Sequence, residues 1–169
     1  MSAAGVAVLL SVEEYLRTTY RPDCDYVDGE VLERNFGEKD HSRTQREVLF
    51  FLLMNYPALR ERLLPEQRVQ VKRNRFRIPD VCLLAEDAPD ESIIRQPPEL
   101  CVEILSKDDT MRELMDRVDD YFEIGVPVCW LIDPRRRRAW IAKPGQMVEP
   151  VDGVLRAAGI EMPLSAVLD

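Results

Sequence analysis

The sequence predicts an α/β domain in which helices flank a mixed sheet, preceded by an N-terminal helix and a hairpin. Three observations lead to this prediction. Short apolar runs typical of buried strands recur along the chain, a strongly amphipathic helix stands between two of them, and 46% of the 169 residues are hydrophobic. A chain of this length can bury one core, and no repeat or linker divides it. We therefore expect a single domain over residues 1–169.

The first part of the chain contains two helix patterns and one hairpin turn. A Ser followed three residues later by a Glu is a capping box, and an Asp-Gly pair allows the tight turn of a hairpin. Apolar residues at helical spacing mark the second helix, which Pro57 limits. The predicted elements are a helix from Ser11 to about Tyr20, a hairpin over residues 25–33, and a helix from a cap at Asp40 or Ser42 to about Tyr56.

The rest of the chain alternates strand-like runs with one helix. This helix has a single apolar stripe, capping residues before it and a glycine after it. The apolar run before residue 133 lacks alternation, which is typical of a strand buried on both faces. The predicted elements are strands over residues 68–71, 78–84 and 100–105, a helix from about Asp108 to Gly125, strands over 128–132 and 139–142, a hairpin at Asp152-Gly153, and a last helical turn over 163–168.

Composition excludes several classes of protein. The net charge of -8 argues against a non-specific nucleic-acid coat, because phosphate binding rests on clustered Lys and Arg. The four cysteines stand far apart and the chain has one His, so no zinc pattern is present. No segment is long and apolar enough to span a membrane, and the start lacks a basic signal-peptide region. We expect a cytoplasmic protein with free thiols and no membrane contact.

Two acids lie within apolar runs that are predicted to form strands. Asp80 falls in the run that ends at Leu84, and Glu103 interrupts the run from Leu100 to Leu105. A carboxylate in such a place is costly to bury unless it is paired, hydrogen-bonded or bound to a cation. Magnesium takes oxygen ligands, usually one or two carboxylates with water. On neighbouring strands these acids predict a site for Mg²⁺ or Mn²⁺, although each could instead be a structural salt-bridge partner.

If such a metal site acts on phosphodiesters, it also needs a cation near the phosphate, and the sequence offers two candidates. Arg117 borders the apolar stripe of the long helix, one turn before Tyr121, and can bind phosphate but not accept a proton. Glu113, one turn further back, is placed to orient Arg117. Lys107 could do either, and alternation puts it on the Glu103 side of the strand. Each cation is otherwise an ordinary solvated charge.

Motifs along most of the chain occur in an order that resembles a known family. They are Asp25-Tyr-Val-Asp-Gly-Glu30, His41, Glu66-Gln-Arg-Val, Ile-Pro-Asp80, Val-Glu103-Ile-Leu-Ser and Tyr121-x-x-x-Gly-Val-Pro-x-x-Trp-Leu-Ile-Asp133-Pro. Over roughly residues 11–142 the chain resembles the Uma-two-type restriction endonuclease family of the PD-(D/E)XK nuclease superfamily. The resemblance implies a restriction-endonuclease-like fold, Mg²⁺ at Asp80 and Glu103, and cleavage of DNA by a metal-activated water.

The resemblance also implies roles for three further residues. His41 is a candidate catalytic base, since a His can titrate near neutral pH. Glu30 and Glu66 are candidates for the surroundings of the metal, together with Glu113. Without the resemblance, His41 is more simply a hydrogen-bonded residue at a helix start, and Glu30 is a surface residue after a turn glycine.

Several positions depart from the family pattern and favour an alternative function. Arg117 stands where the family usually has Lys, Val128 where it has an acid and Asp25 where it more often has Glu, and Leu105 interrupts the Glu-x-Lys spacing of the superfamily. The alternative is a catalytically weak or inactive nuclease-fold module that binds nucleic acid or protein. The retained acids favour the enzyme.

The densest basic segment is the predicted turn Arg135–Arg138, which either holds DNA or is merely solvated. One chain with a net charge of -8 has little positive surface for a polyanion. A homodimer would bring two basic turns and two acid sites to one DNA molecule. We therefore expect DNA as the partner and a dimer as the assembly.

Overall fold

The structure is a computed structural model that describes residues 9–34 and 38–168. The first half contains α1 (Val12–Arg17), β1 (Asp25–Val27), β2 (Glu30–Leu32), α2 (Lys39–Asn55), a 3-10 helix (Pro57–Arg62), β3 (Leu63–Pro65), β4 (Val69–Lys72), β5 (Arg75–Arg77) and β6 (Val81–Leu83). The second half contains β7 (Leu100–Ile104), α3 (Met111–Glu123), β8 (Cys129–Asp133), β9 (Arg138–Lys143), β10 (Gln146–Val148), β11 (Val154–Ala157), β12 (Ile160–Pro163) and a 3-10 helix (Leu164–Ala166).

A six-stranded sheet in the order β10-β9-β8-β7-β6-β3 forms the centre of the fold. Its β7 and β8 are parallel and its other neighbours are antiparallel, which confirms the predicted mixed α/β class. The crossover between the parallel strands is made through α3, because parallel neighbours need a long connection. A second sheet, β2-β1-β5-β4, and the hairpin β11–β12 complete the strands.

Alternate residues of β7 contribute to different cores on the two faces of the central sheet. Val102 and Ile104 belong to a cluster with residues of α2 and β11–β12, whereas Cys101 and Leu105 belong to a cluster with residues of α3 and β4. Glu103 lies between Val102 and Ile104 and therefore faces α3. The alternation thus places a carboxylate in the core beneath that helix.

The N-terminal helix and hairpin form as predicted. Ser11 and Glu14 make the capping box of α1, which ends at Arg17, earlier than the predicted Tyr20. The turn between β1 and β2 has positive φ angles at Asp28 and Gly29, as a hairpin turn with Asp-Gly requires. An aromatic cluster of Tyr15, Tyr26 and Phe76 holds α1 against this second sheet.

Two predicted helix and strand boundaries are wrong for identifiable reasons. Helix α2 begins at Lys39 with no side-chain cap, so Asp40 and Ser42 are not caps but lie in its first turn. The strand predicted over residues 78–84 is reduced to β6, and the Asp80 carboxylate accepts the backbone N–H of Ile104 at 2.7 Å. A side chain therefore replaces a backbone partner at the end of this ladder.

The predicted hairpin at Asp152-Gly153 is also wrong. This pair forms a turn between β10 and β11, but β10 pairs with β9 and β11 pairs with β12. The hairpin turn lies instead at Ala158 and Gly159, which have φ angles of 49° and 75°. An Asp-Gly pair indicates a tight turn but does not determine whether the flanking strands pair.

Candidate active site

Asp80 and Glu103 come together through the antiparallel pairing of β6 and β7. Val81 is opposite Val102, so the residue before Val81 lies beside the residue after Val102. Each of the two acids is only 1% exposed. The register therefore places two buried acids at one end of neighbouring strands.

The Asp80 carboxylate is held by three donors from different parts of the chain. Its Oδ1 accepts from the Arg34 guanidinium, and its Oδ2 accepts from the Ile104 N–H and lies 3.2 Å from His41 Nε2. Burial alone raises the pKa of Asp80, but the Arg34 charge, His41 and the Ile104 N–H together hold that pKa below its usual value. Asp80 is therefore a carboxylate in the folded protein.

Glu103 is held from α3 and has a different electrostatic balance. Tyr121 donates its hydroxyl to Oε1 at 2.7 Å, and Arg117 donates to Oε2 at 3.2 Å. Burial raises the pKa of Glu103 to about 7, against the lowering effect of Arg117 and with a further raising effect from the charge of Asp80. The two acids therefore interact electrostatically, and Glu103 exchanges a proton near neutral pH.

Arg34 is the site residue that the sequence did not reveal. It follows β2, yet its side chain is only 6% exposed and reaches Asp80. Burial lowers the pKa of Arg34, but the charges of Asp80 and Glu103 raise it above its ordinary value. An arginine just after a hairpin is normally exposed to solvent, so only the folded structure shows that Arg34 reaches Asp80.

His41 lies in the first turn of α2 and is 7% exposed. Burial lowers the pKa of His41, but its hydrogen bond to Asp80 and the charge of that acid raise the pKa above its usual value. His41 thus supplies a further donor to Asp80. Together, Asp80, Glu103, Arg34, His41 and Arg117 form what we call the acid cluster.

Arg117 reaches the acid cluster from α3, but Glu113 does not orient it. Arg117 bridges Glu103 and Asp109, with its Nη2 at 3.0 Å from Asp109 Oδ1. Glu113 accepts from the backbone and hydroxyl of Thr110 and completes the capping box of α3. The carboxylate partner of Arg117 on this side is therefore Asp109 and not the predicted Glu113.

Three other candidate residues lie outside the cluster. Lys107 is in a loop, 59% exposed at its side chain, with Nζ 3.9 Å from Glu38. Glu30 is exposed on β2. Glu66 is exposed, but it is connected to the site because Gln45 donates both to Glu66 at 3.2 Å and to the backbone carbonyl of Asp80 at 2.9 Å.

A cleft of about 380 Å³ opens beside the cluster between the hairpin and α3, with Arg34 and Arg117 in its wall. Its lining also includes Asp25 and Arg77, which belong to a second set of buried charges, the structural ion network, in which Arg77 bridges Asp25 and Asp120. The cleft gives an external ligand access to the two arginines that hold the acids.

The donor chemistry of the acid pair fits a divalent cation. Two carboxylates are hard oxygen ligands, and Mg²⁺ commonly binds one or two of them and completes its coordination with water. Among residues 9–34 and 38–168 there is no group of three or more His, Cys, Asp or Glu side chains arranged to hold a metal. Asp80 and Glu103 would hold such a cation, which would compete with the Arg34 guanidinium for the Asp80 carboxylate.

Comparison with known proteins shows that the fold is nuclease-like. A solved structure, described as a putative nuclease belonging to DUF820 from Anabaena variabilis ATCC 29413, is similar with a TM-score of 0.77 and 18% sequence identity. The match covers 94% of this chain and 97% of that chain, so the two share a fold.

A family profile described as "Uma2: Putative restriction endonuclease" matches residues 12–162. The chain belongs to this family, which confirms the resemblance found in the sequence. A search of curated proteins gave no match. In the part of the chain that the structure describes, no helix has the length and apolar character needed to cross a bilayer.

Proposed function

We propose that this chain is an endonuclease that hydrolyses phosphodiester bonds in DNA with a bound Mg²⁺ or Mn²⁺. The observation that carries the proposal is the adjacent pair of buried acids, Asp80 and Glu103, beside a cleft lined by Arg34 and Arg117. Buried acids side by side are costly to the fold, so their presence favours a functional role. Membership of the restriction endonuclease family supports nuclease activity.

The proposal gives roles to Tyr121 and to four residues of the acid cluster, Asp80, Glu103, Arg117 and His41. Asp80 and Glu103 hold the metal, which when bound supplies an activated water and neutralises charge on the phosphoryl oxygens. Arg117 stays charged at all relevant pH values and donates to a phosphate oxygen. His41 orients the Asp80 carboxylate, and Tyr121 fixes Glu103 through its hydroxyl.

The direct test is cleavage of plasmid and single-stranded DNA with Mg²⁺, Mn²⁺ or EDTA. We expect cleavage with either metal, none with EDTA, and none from Asp80→Asn or Glu103→Gln. Glu99→Gln is the matched control, since this acid immediately precedes β7 but is partly exposed and paired with Arg62. Equal cleavage by wild type and Asp80→Asn, or no cleavage with any metal, would contradict the proposal.

One observation favours the alternative of an inactive binding module. The two acids already carry guanidinium partners, Arg34 on Asp80 and Arg117 on Glu103. Calorimetric titration with Mn²⁺ separates the two functions, because the enzyme must bind metal through Asp80. Absence of Mn²⁺ uptake together with retained DNA binding would favour the module.

Three expectations from the sequence remain proposals. We propose a homodimer, which light scattering tests: the mass of a single chain across micromolar concentrations would contradict it. We also propose one domain over residues 1–169, which predicts a single cooperative unfolding transition. The cytoplasmic location also stays a prediction.

A further inference from the structure

A second cavity, of about 300 Å³, lies at the ends of the parallel strands β7 and β8. Its lining includes Ser106, Lys107, Asp109, Asp133, Arg135 and Arg136. Ser106 and Lys107 follow β7, and the two arginines begin the turn after β8. The parallel pairing therefore brings three basic residues and a hydroxyl to one place.

The two acids of this cavity are engaged by the protein itself. Asp133 accepts the backbone N–H groups of Arg135 and Arg136 at 3.1 and 3.0 Å and pairs with the Arg136 guanidinium at 3.0 Å. Asp109 accepts from the backbone N–H of Ser106 at 2.8 Å and pairs with Arg117. The hydrogen bonds and ion pairs of these two carboxylates therefore hold the residues that line the cavity in place.

Two side-chain donors at the cavity lack an acceptor among the residues that the structure describes. Ser106 is 6% exposed, and its Oγ has no hydrogen-bond partner among the residues that the structure describes. Such a buried hydroxyl without a partner is uncommon. Arg135 uses its backbone N–H on Asp133, while its guanidinium forms no ion pair with any residue of 9–34 or 38–168.

We propose that this cavity binds a backbone phosphate of the DNA substrate, one that is not the phosphate being cleaved. A phosphate has only acceptor oxygens, which suit the Ser106 hydroxyl, the Arg135 fork and the Lys107 ammonium. Asp109 lines both this cavity and the cleft at Arg117, so the two sites are neighbours on one surface. The inference rests on the proposed function for its choice of DNA.

The other two arginines of the basic turn have different partners. Arg137 donates to the backbone carbonyl of Leu168 at 2.7 Å, and Arg138 pairs with Glu149 at 2.6 Å. Neither lines this cavity. The turn is therefore not a clamp of four equivalent charges: its first two arginines line the cavity, and of these Arg135 is the one whose guanidinium is not paired with Asp133.

The test is binding of a fluorescent duplex to the whole chain in EDTA, where no metal chemistry takes place. We expect Arg135→Gln with Arg136→Gln to weaken binding about tenfold, the loss of one charged hydrogen-bonded contact. The slope of log K against log salt should fall in magnitude by about 1, as for one lost phosphate contact. Ser106→Ala should weaken binding in the same direction without changing that slope.

The matched control is Arg138→Gln with Lys143→Gln, which removes the same charge from exposed positions at the two ends of β9. Equal weakening by both double variants, or duplex binding unchanged by Arg135→Gln with Arg136→Gln, would overturn the phosphate site. Inorganic phosphate provides a second arm by thermal shift. A shift with phosphate that requires Arg135 and Arg136, without any effect on duplex binding, would mean a free phosphate ligand and overturn the assignment to DNA.

The results of this experiment can contradict the phosphate site and the proposed function separately. Metal-dependent cleavage with unchanged duplex binding by the arginine variant would keep the nuclease and remove the second phosphate site. Loss of duplex binding by that variant in a chain that never cleaves would keep the phosphate site and favour the binding module.

Discussion

Two groups of buried charge lie against α3, and they differ in how their charges are ordered. In the structural ion network, Arg77 lies between Asp25 and Asp120, so unlike charges alternate. In the acid cluster, Asp80 and Glu103 are neighbours across two strands, and the pKa of Glu103 is raised to about 7. In the structural ion network each acid is a partner of Arg77, whereas in the acid cluster the two adjacent acids repel each other even though each has an arginine partner. This difference supports the proposal that the acid cluster is the functional site.

The largest expected effect is on the structural ion network. Asp120→Asn would leave the buried Arg77 guanidinium without one of its two partners, and breaking a buried pair in this way typically costs about 3–5 kcal/mol. Denaturant unfolding measures the loss. Asp119→Asn is the control, an exposed acid on the same helix, and it should change stability by less than about 0.5 kcal/mol. Similar losses of stability for the two variants would contradict the stabilising role of the structural ion network and its contrast with the acid cluster.

The pH dependence of stability tests the acid cluster. The folded-state pKa of Glu103 is about 7, whereas an unfolded Glu titrates near ~4.3. The folded state therefore binds more protons between these values, and the stability contributed by protonated Glu103 falls as pH rises through this window and is constant above it.

Glu103→Gln should abolish that fall, since Gln remains neutral. The stability of the variant relative to wild type should rise by on the order of 2 kcal/mol between pH 5 and pH 7, the equivalent of about two units of pKa. Denaturant unfolding in EDTA at several pH values checks this. Parallel stability curves for the two proteins would show that Glu103 does not titrate in this range.

The sequence identified the two acids because a carboxylate within an apolar run has few explanations. Their neighbours also had local signals, such as the apolar stripe that placed Arg117 and Tyr121 on one side of α3. Periodicity could not predict the strand register. Alternation places Glu103 on one face of the sheet, but it does not show which residue of the neighbouring strand lies beside Glu103. The fold class depended on the same alternation and was predictable.

Two charged residues at the site were less predictable, for a physical reason. Arg34 and Asp109 lie in loops, where charged residues are ordinarily solvated and carry no pattern. Lys107 was favoured by strand alternation, but the strand ends at Ile104 and the alternation ends with it. Strands β3, β5 and β10 were missed because three residues are too few to show a period.

A variant of Arg34 tests whether Asp80 binds a metal or is instead neutralised by the Arg34 guanidinium. In the proposed metal site a metal would compete with Arg34 for Asp80, so Arg34→Met should raise the affinity for Mn²⁺ by about tenfold, or roughly 1.4 kcal/mol. Calorimetric titration checks this, with Arg62→Met as the control, since that residue pairs with the partly exposed Glu99. Weaker Mn²⁺ binding by Arg34→Met would mean that Arg34 organises the Asp80 carboxylate for the metal.

The smallest expected effect concerns Glu113, which the structure assigns to the end of α3. Its carboxylate accepts from the Thr110 N–H at 3.0 Å and from the Thr110 hydroxyl at 2.8 Å. Glu113→Ala should therefore cost about 1 kcal/mol of stability, the usual loss for a helix cap, and leave Mn²⁺ affinity unchanged. Glu113→Gln keeps the acceptor oxygen and should cost less. If Glu113 instead acted through its charge on Arg117, both variants would change Mn²⁺ affinity equally, and calorimetry of the pair would show it.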